Sequence, residues 1–188
     1  MILRIPWQIW QLIMTYTKIC SPDEITAIGT LRIVSSREVV VEEFIIPKQD
    51  VSPSISKFHD GELNRIICEA IQEGKDTALM TFRWHSHGTG PVYFSPMDED
   101  DIEEWTGDWV VNLVVNAYGE HKARIDQFKP FRTTMEIKVV IDYPVDPALY
   151  EACRAIVDER VVRVPEKEGV AYGELCRLFR SGEHFQPE

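Results

Sequence analysis

His85 and His87 stand two residues apart in the stretch Trp84-His-Ser-His-Gly. On an extended backbone alternate side chains leave the same face, so both imidazoles can share one ion. Asp98 lies eleven residues beyond His87, behind Gly88, Gly90 and Pro91, which can turn the chain back toward the pair. Two imidazoles and one carboxylate, with a fourth position left to water, form the ligand set of a catalytic zinc site. A structural zinc site is usually closed by four protein ligands rich in Cys. The four cysteines here, Cys20, Cys68, Cys153 and Cys176, are scattered and contain no C-x-x-C.

The bulk properties narrow the setting. A chain of 188 residues is most simply one domain, which would bury roughly 70% of the surface its unfolded form exposes. Dispersed cysteines without a secretory leader point to a reducing, cytoplasmic compartment. The apolar run Ile5 to Met14 is too short to span a bilayer and is interrupted by Gln8 and Gln11, so no membrane role is expected. With 31 acidic against 20 basic residues the net charge is −11. That charge opposes a phosphate backbone, argues against nucleic acid and favours a partner with a basic face.

The elements that must position the histidines follow from periodicity. Pro6 suits a first helical turn, and Ile5, Ile9, Leu12, Ile13 and Tyr16 form one apolar stripe while Trp7, Trp10 and Met14 form another. A helix apolar nearly all round should be covered on every side, by the sheet and by the C-terminal part of the chain. Ser21-Pro22 stops it. Residues 24–34 and 38–46 read as a hairpin and 47–58, with Pro47 and Pro53, as a loop. A second helix is expected over 61–73, a strand over 77–84 running into the histidines, and a helix from Ser95 through Trp105. Strands should follow at 109–117, 122–128 and 133–142, then helices at 148–162 and 171–180. Pro144 and Pro147 mark a weak boundary between a domain over 1–143 and a helical extension over 144–188.

Several residues near the histidines have ordinary structural readings. Ser95, followed by Pro96 and then Asp98, has the pattern of a helix cap. The acidic residues from Glu99 to Glu104 suit a solvated helix start, although Glu99 or Asp101 would take over from Asp98 if that turn were wound differently. His59, His121 and His184 have no partner pattern and read as surface or packing residues. Most of the aromatics around the site belong to the core, with Tyr93 and Phe94 the two expected to face a substrate.

The order Glu24, His85-Ser86-His87, seven residues, then Ser95-Pro96-Met97-Asp98 resembles the signature of the JAMM (MPN-plus) metalloprotease family over roughly residues 6–142. The resemblance implies an α/β fold of the deaminase-like JAB/MPN kind, with a mixed curved β-sheet, one helix on either side and a Zn2+ site at its rim. It implies that His85, His87 and Asp98 ligate zinc, that Glu24 is the general acid/base, and that Ser95 lies near the oxyanion. The capping and oxyanion readings of Ser95 both stand. The implied activity is hydrolysis of the amide bond after the C-terminal glycine tail of a ubiquitin-like modifier. Alternatives are a peptidase that trims a sulfur-carrier-like protein or a cell-wall peptide, and a non-catalytic scaffold that binds a protein partner through the C-terminal helices. Two positions depart from the family pattern: Ala27 stands where relatives often carry Gly, and Gly88 where Pro often follows the second histidine. The segments 47–60 and 127–133, where the family carries substrate-contacting insertions, are short.

Overall fold

Strand pairing is the main determinant of where the histidines sit. In the computed structural model, which describes residues 1–161, seven strands pair in the order β1 (Ile2–Pro6), β3 (Glu38–Ile45), β2 (Thr26–Ser35), β6 (Phe82–Ser86), β7 (Trp109–Val115), β8 (His121–Gln127) and β9 (Thr133–Asp142). β1 also pairs with β9, so the expected mixed, curved sheet closes on itself as a barrel. The sheet is mixed: β1 runs parallel to β3 and β9, and β6 parallel to β7, while the other pairs are antiparallel.

Closure depends on β1, which periodicity alone places partly in the first helix. Ile5 fits that helix's stripe, but Leu3 and Ile5 also have the two-residue spacing of a strand and are both fully buried. Helix α1 accordingly begins at Trp7 and ends at Cys20. Among the described residues, Trp10, Ile13 and Thr17 of this helix are buried, while Leu12, Tyr16 and Ile19 are exposed.

Adjacent residues of β2 show how the layers divide. Ala27 joins the larger core with Trp10 and Ile13 of α1, and with Leu3, Phe82, Trp84, Val111 and Leu113 of the sheet. Ile28 points the other way, to Ile66 and Ala70 of α2 (Glu62–Gln72) and to Met80. Successive strand residues face opposite sides, so α1 and α2 cover opposite faces of the sheet. Phe82 and Trp84 are fully buried in β6. Removing a buried Trp side chain costs about 3–5 kcal/mol, so these two residues hold the strand that carries His85.

Two local expectations are corrected. The stretch 77–84 is a strand only at its end: Thr77–Leu79 is a single 3-10 turn, because the Asp76 side chain accepts from the Ala78 N–H and winds the chain there. The segment 47–58 is not plain loop. β4 (Gln49–Ser52) and β5 (Ile55–Phe58) form a separate two-stranded hairpin turning at Pro53-Ser54. The Gln49 amide anchors it to β2, donating to Thr26 O and accepting from Thr26 N.

The remaining helices are α3 (Pro96–Glu103) and α4 (Pro147–Arg160), the latter capped by Asp146. Residues 1–144 form one compact unit, and α4 belongs to a second that starts at Val145. The helix expected over 171–180 lies outside the described residues. Among the described residues, no helix is long and apolar enough to cross a membrane, and Cys20, Cys68 and Cys153 are free thiols.

Candidate metal centre

Three side chains, two from the end of β6 and one from the start of α3, meet at the C-terminal end of β6. His85 is paired on one side with Thr26 of β2 and on the other with Val114 of β7, so its backbone is fixed by both neighbours. It shares a face of β6 with Arg83, toward α3, while Phe82, Trp84 and Ser86 take the other face. His87 lies just past the strand, its N–H donating to Val115 O. Its Nε2 is 3.1 Å from that of His85. Asp98 reaches the pair from the first turn of α3, with Oδ1 3.2 Å from His85 Nε2 and Oδ2 3.6 Å from His87 Nε2.

Asp98 is oriented by its own helix start. The Ser95 N–H donates to Asp98 Oδ2 at 2.6 Å, and the Asp98 N–H donates to Ser95 Oγ at 3.2 Å, a reciprocal capping box. Of the two readings of Ser95, the structure realises the cap, and the residue also lines the cleft beside the histidines. That cap leaves Asp98 Oδ1 facing His85.

The loop between the ligands is held as firmly. A carbonyl has no proton to give, so the 2.9 Å contact of His87 Nδ1 with Pro91 O requires Nδ1 to carry one. In the neutral ring this leaves the Nε2 lone pair toward His85 and Asp98. Gly88 adopts φ +49°, and a Cβ there would lie 2.3 Å from the Pro22 carbonyl oxygen. Glycine is required at this position by both backbone angle and space. Ala27, the other departure from the family pattern, packs its methyl in the main core.

Glu24 enters from the loop before β2. Its N–H donates to Ser52 O in the β4–β5 hairpin, and it lines the same cleft of about 410 Å³ as His87, Ser95 and Tyr93. Next to it, Ser86 Oγ accepts from Ile25 N, tying the Glu24 segment to the strand between the two histidines. Ser86 is fully buried, and its position between two candidate ligands was the only sequence hint of this role.

The electrostatics favour an unprotonated His85, an anionic Asp98 and a proton carrier at Glu24. Burial pushes the Glu24 carboxyl up to about 7, with the Asp98 charge adding to the rise and His87 opposing it. Burial also lowers the His85 pKa against the pull of Asp98, favouring the unprotonated ring. Burial acts against charge on His87 as well, but Asp98 and the Pro91 carbonyl outweigh it and raise its pKa. Asp98 is itself disfavoured by burial, yet hydrogen bonds with both imidazoles and the Ser95 N–H hold its carboxyl well below the usual carboxylate range.

The donor set fits zinc. Ligand bonds of about 2.0–2.1 Å in tetrahedral geometry separate the donor atoms by about 3.3 Å. Here the two Nε2 atoms are 3.1 Å apart, Asp98 meets His85 through Oδ1 at 3.2 Å and His87 through Oδ2 at 3.6 Å, and one donor atom from each of the three residues lies within 4.8 Å of the others. His59 instead pairs with Asp50, and His121 caps its turn through Gly119 O; His184 lies outside the described residues. Of the two aromatics expected to face substrate, Tyr93 is exposed in the cleft. Phe94 is half-buried beneath the guanidinium of Arg124.

Residues 6–128 match the family model described as prokaryotic homologs of the JAB domain. The chain belongs to this JAB-domain family, which includes metallopeptidases. A solved structure with the same fold is the solution structure of protein DSY2949 from Desulfitobacterium hafniense. It is 13% identical, covers 77% of this chain and 95% of its own, and has a TM-score of 0.56. No curated protein matches the chain. Within this JAB domain, the residues that sequence reasoning missed are those that brace the ligands. Asn116 is the clearest of them: it is buried, and its amide donates to Gly90 O and Glu120. A polar residue ending the apolar run Trp109-Val-Val-Asn-Leu-Val-Val-Asn signals such a duty, since a buried amide must find partners.

Proposed function

We propose that this JAB domain is a zinc-dependent peptidase or isopeptidase that cleaves the amide bond after the extended C-terminal tail of a ubiquitin-like modifier. The observation that carries the proposal is the convergence of His85, His87 and Asp98 at the edge of a cleft that His87 lines together with Glu24. A purely architectural domain has no need for a buried three-ligand cluster next to a carboxyl poised near neutrality.

His85, His87 and Asp98 would hold the zinc. Bound there, zinc would act as a Lewis acid and bring the deprotonation of water into the neutral range. Glu24, with its carboxyl raised toward about 7 by burial, is matched to accept the proton of the attacking water and return it to the leaving amine. Ser95, fixed by its cap, sits in the cleft with a hydroxyl proton that the cap does not use. Tyr93 walls the cleft beside His87, its ring edge-on to the imidazole at 5.1 Å.

The substrate class is argued from the space leading to the site. Met97 lines both the catalytic cleft and a neighbouring cavity of about 480 Å³ bounded by Ile55, Phe58, Leu63 and Trp105. Asp101 and Glu104 lie on that cavity's wall. Lys57 and Arg83 line it too, Arg83 paired with Asp101, so the wall is of mixed charge; neighbouring spaces that share Met97 suit an extended tail whose aliphatic residues pack on the apolar lining. The test is hydrolysis of a panel of ubiquitin-like proteins fused through their C-terminal tails, with zinc content measured alongside. Cleavage that depends on His85 and Glu24 supports the proposal. A zinc-free protein, or one that cleaves no fusion in the panel, rejects it.

A further inference from the structure

We propose that Arg124 is the positioning residue that clamps both flanks of the Asp98 turn to the sheet, and so sets how tightly His85, His87 and Asp98 hold a divalent cation. This rests on the metal-site reading above. Arg124 lies on β8, a strand that contributes no candidate ligand, and it is buried.

Its guanidinium makes three kinds of contact at once. Nη1 and Nη2 donate to the two carboxylate oxygens of Glu99, the residue after Asp98. The guanidinium carbon lies 4.3 Å from the centre of the Phe94 ring, and Phe94 immediately precedes the Ser95 cap. Phe94 in turn meets His85 edge-on, with ring centres 6.3 Å apart. The third contact anchors the clamp: Nε donates to Asp126 Oδ2 at 2.9 Å. Asp126 is 1% exposed and is also held by the Asn112 amide and the Thr134 hydroxyl.

Helix α3 needs such a clamp. It has only eight residues, five of them acidic, and Ile102 is its single buried residue. A helix this short is not stable alone. The other tether to the sheet, Arg83 to Asp101, grips it one turn further on. Among the described residues, Arg124 is the side chain that holds the residues on either side of the cap and ligand, and its planar fork satisfies two carboxylates while stacking on a ring, which a lysine cannot do.

The experiment measures zinc affinity of the full chain by competition with a chelating dye, and the visible spectrum of the cobalt-loaded protein. Arg124→Met and Glu99→Ala are each expected to weaken zinc binding roughly ten- to hundredfold and to alter the cobalt bands. The double variant should be no worse than the weaker-binding single, because both cut one path. Arg124→Met leaves Asp126 without its cation and can impair folding; Glu99→Ala breaks the same clamp from the solvent side and then decides the matter. Arg132→Met, which removes an exposed arginine bound to Glu103 at the far end of α3, should leave both readouts unchanged. Wild-type-like zinc affinity in Arg124→Met and Glu99→Ala overturns the inference alone, as does equal weakening by Arg132→Met. A wild-type chain that takes up neither zinc nor cobalt rejects the metal-site reading and the inference with it.

Discussion

His87 and Pro91 are joined by a 2.9 Å hydrogen bond from the ring Nδ1 to the carbonyl oxygen, and this bond assigns the tautomer of a candidate ligand. The turn that offers the carbonyl is held by Asn116, whose amide donates to the neighbouring Gly90 O at 2.9 Å. Ala117 N–H donates to Gly88 O in the same turn.

Asn116→Asp tests that arrangement. It keeps the acceptor that takes the Tyr118 and Glu120 N–H groups, but it sets a carboxylate against the Gly90 carbonyl and the Glu120 side chain. The variant should lose about 1–3 kcal/mol of stability and bind zinc roughly tenfold more weakly. Thermal unfolding with and without zinc checks both. Unchanged zinc affinity would show that the Pro91 carbonyl is positioned without Asn116.

Glu24→Gln separates holding the metal from using it. Glu24 lines the cleft but is not one of the three clustered ligands, so zinc content should stay at the wild-type level while turnover falls by about 10²–10⁴-fold, the usual contribution of a general base. Parallel zinc analysis and a tail-fusion cleavage assay report the two quantities. Turnover within tenfold of wild type would assign the proton transfer to another group.

Gly88 offers a backbone test. With φ +49° and the Pro22 carbonyl 2.3 Å from where a Cβ would stand, Gly88→Ala combines an unfavourable angle with a clash. Gly88→Pro, which would install the residue often found after the second histidine in this family, demands φ near −65° and cannot be accommodated without refolding the turn. Both variants should melt several degrees lower, a loss of about 2 kcal/mol or more. A Gly88→Pro melting temperature equal to wild type would mean that the loop has a second, equally stable conformation.

The pH dependence of folding should carry the mark of Glu62. Its carboxylate accepts from Arg65 and from the Lys48 N–H, joining the start of α2 to the segment before β4. Those hydrogen bonds, led by Arg65, lower its pKa to about 2, against about 4.3 for an unfolded Glu. A carboxyl depressed by folding stabilises the native state fully above its unfolded pKa and loses that contribution as pH falls toward the folded one. Glu62→Gln should therefore show a lower urea midpoint than wild type at pH 7, and the gap should narrow between about pH 4.3 and pH 2. A gap that persists unchanged down to pH 3 would mean that the substitution acts through packing and not through charge.

The ligand spacing was readable because chemistry demands residue types: two imidazoles on one strand face and a carboxylate at a capped helix start have few other uses. The positions of α1, α2 and most strands were readable for the related reason that burial demands periodicity. β1 was not, since Ile5 satisfies a helix and a strand equally and only the partners β3 and β9 decide. The β4–β5 hairpin was hidden because it is short and mostly polar, and draws its position from Gln49 hydrogen bonds to Thr26. Arg124 was invisible for a different reason. A single arginine in His121-Lys-Ala-Arg-Ile-Asp-Gln looks like an ordinary exposed strand position, and nothing local reveals that Glu99 and Phe94 lie above it.

Met97 tests the proposed route of the substrate tail without touching the metal. It is 49% exposed and borders both the catalytic cleft and the adjoining cavity, yet no ligand contact depends on its side chain. Met97→Ala removes apolar wall from the path, worth about 1–2 kcal/mol of tail binding, so KM for a tail-fused substrate should rise roughly tenfold with zinc content and melting temperature unchanged. Cutting the tail short should abolish the difference between variant and wild type, because the lost contact would no longer exist in either. If KM is unaffected and kcat falls instead, Met97 acts on the α3 start and the tail takes another path to Glu24.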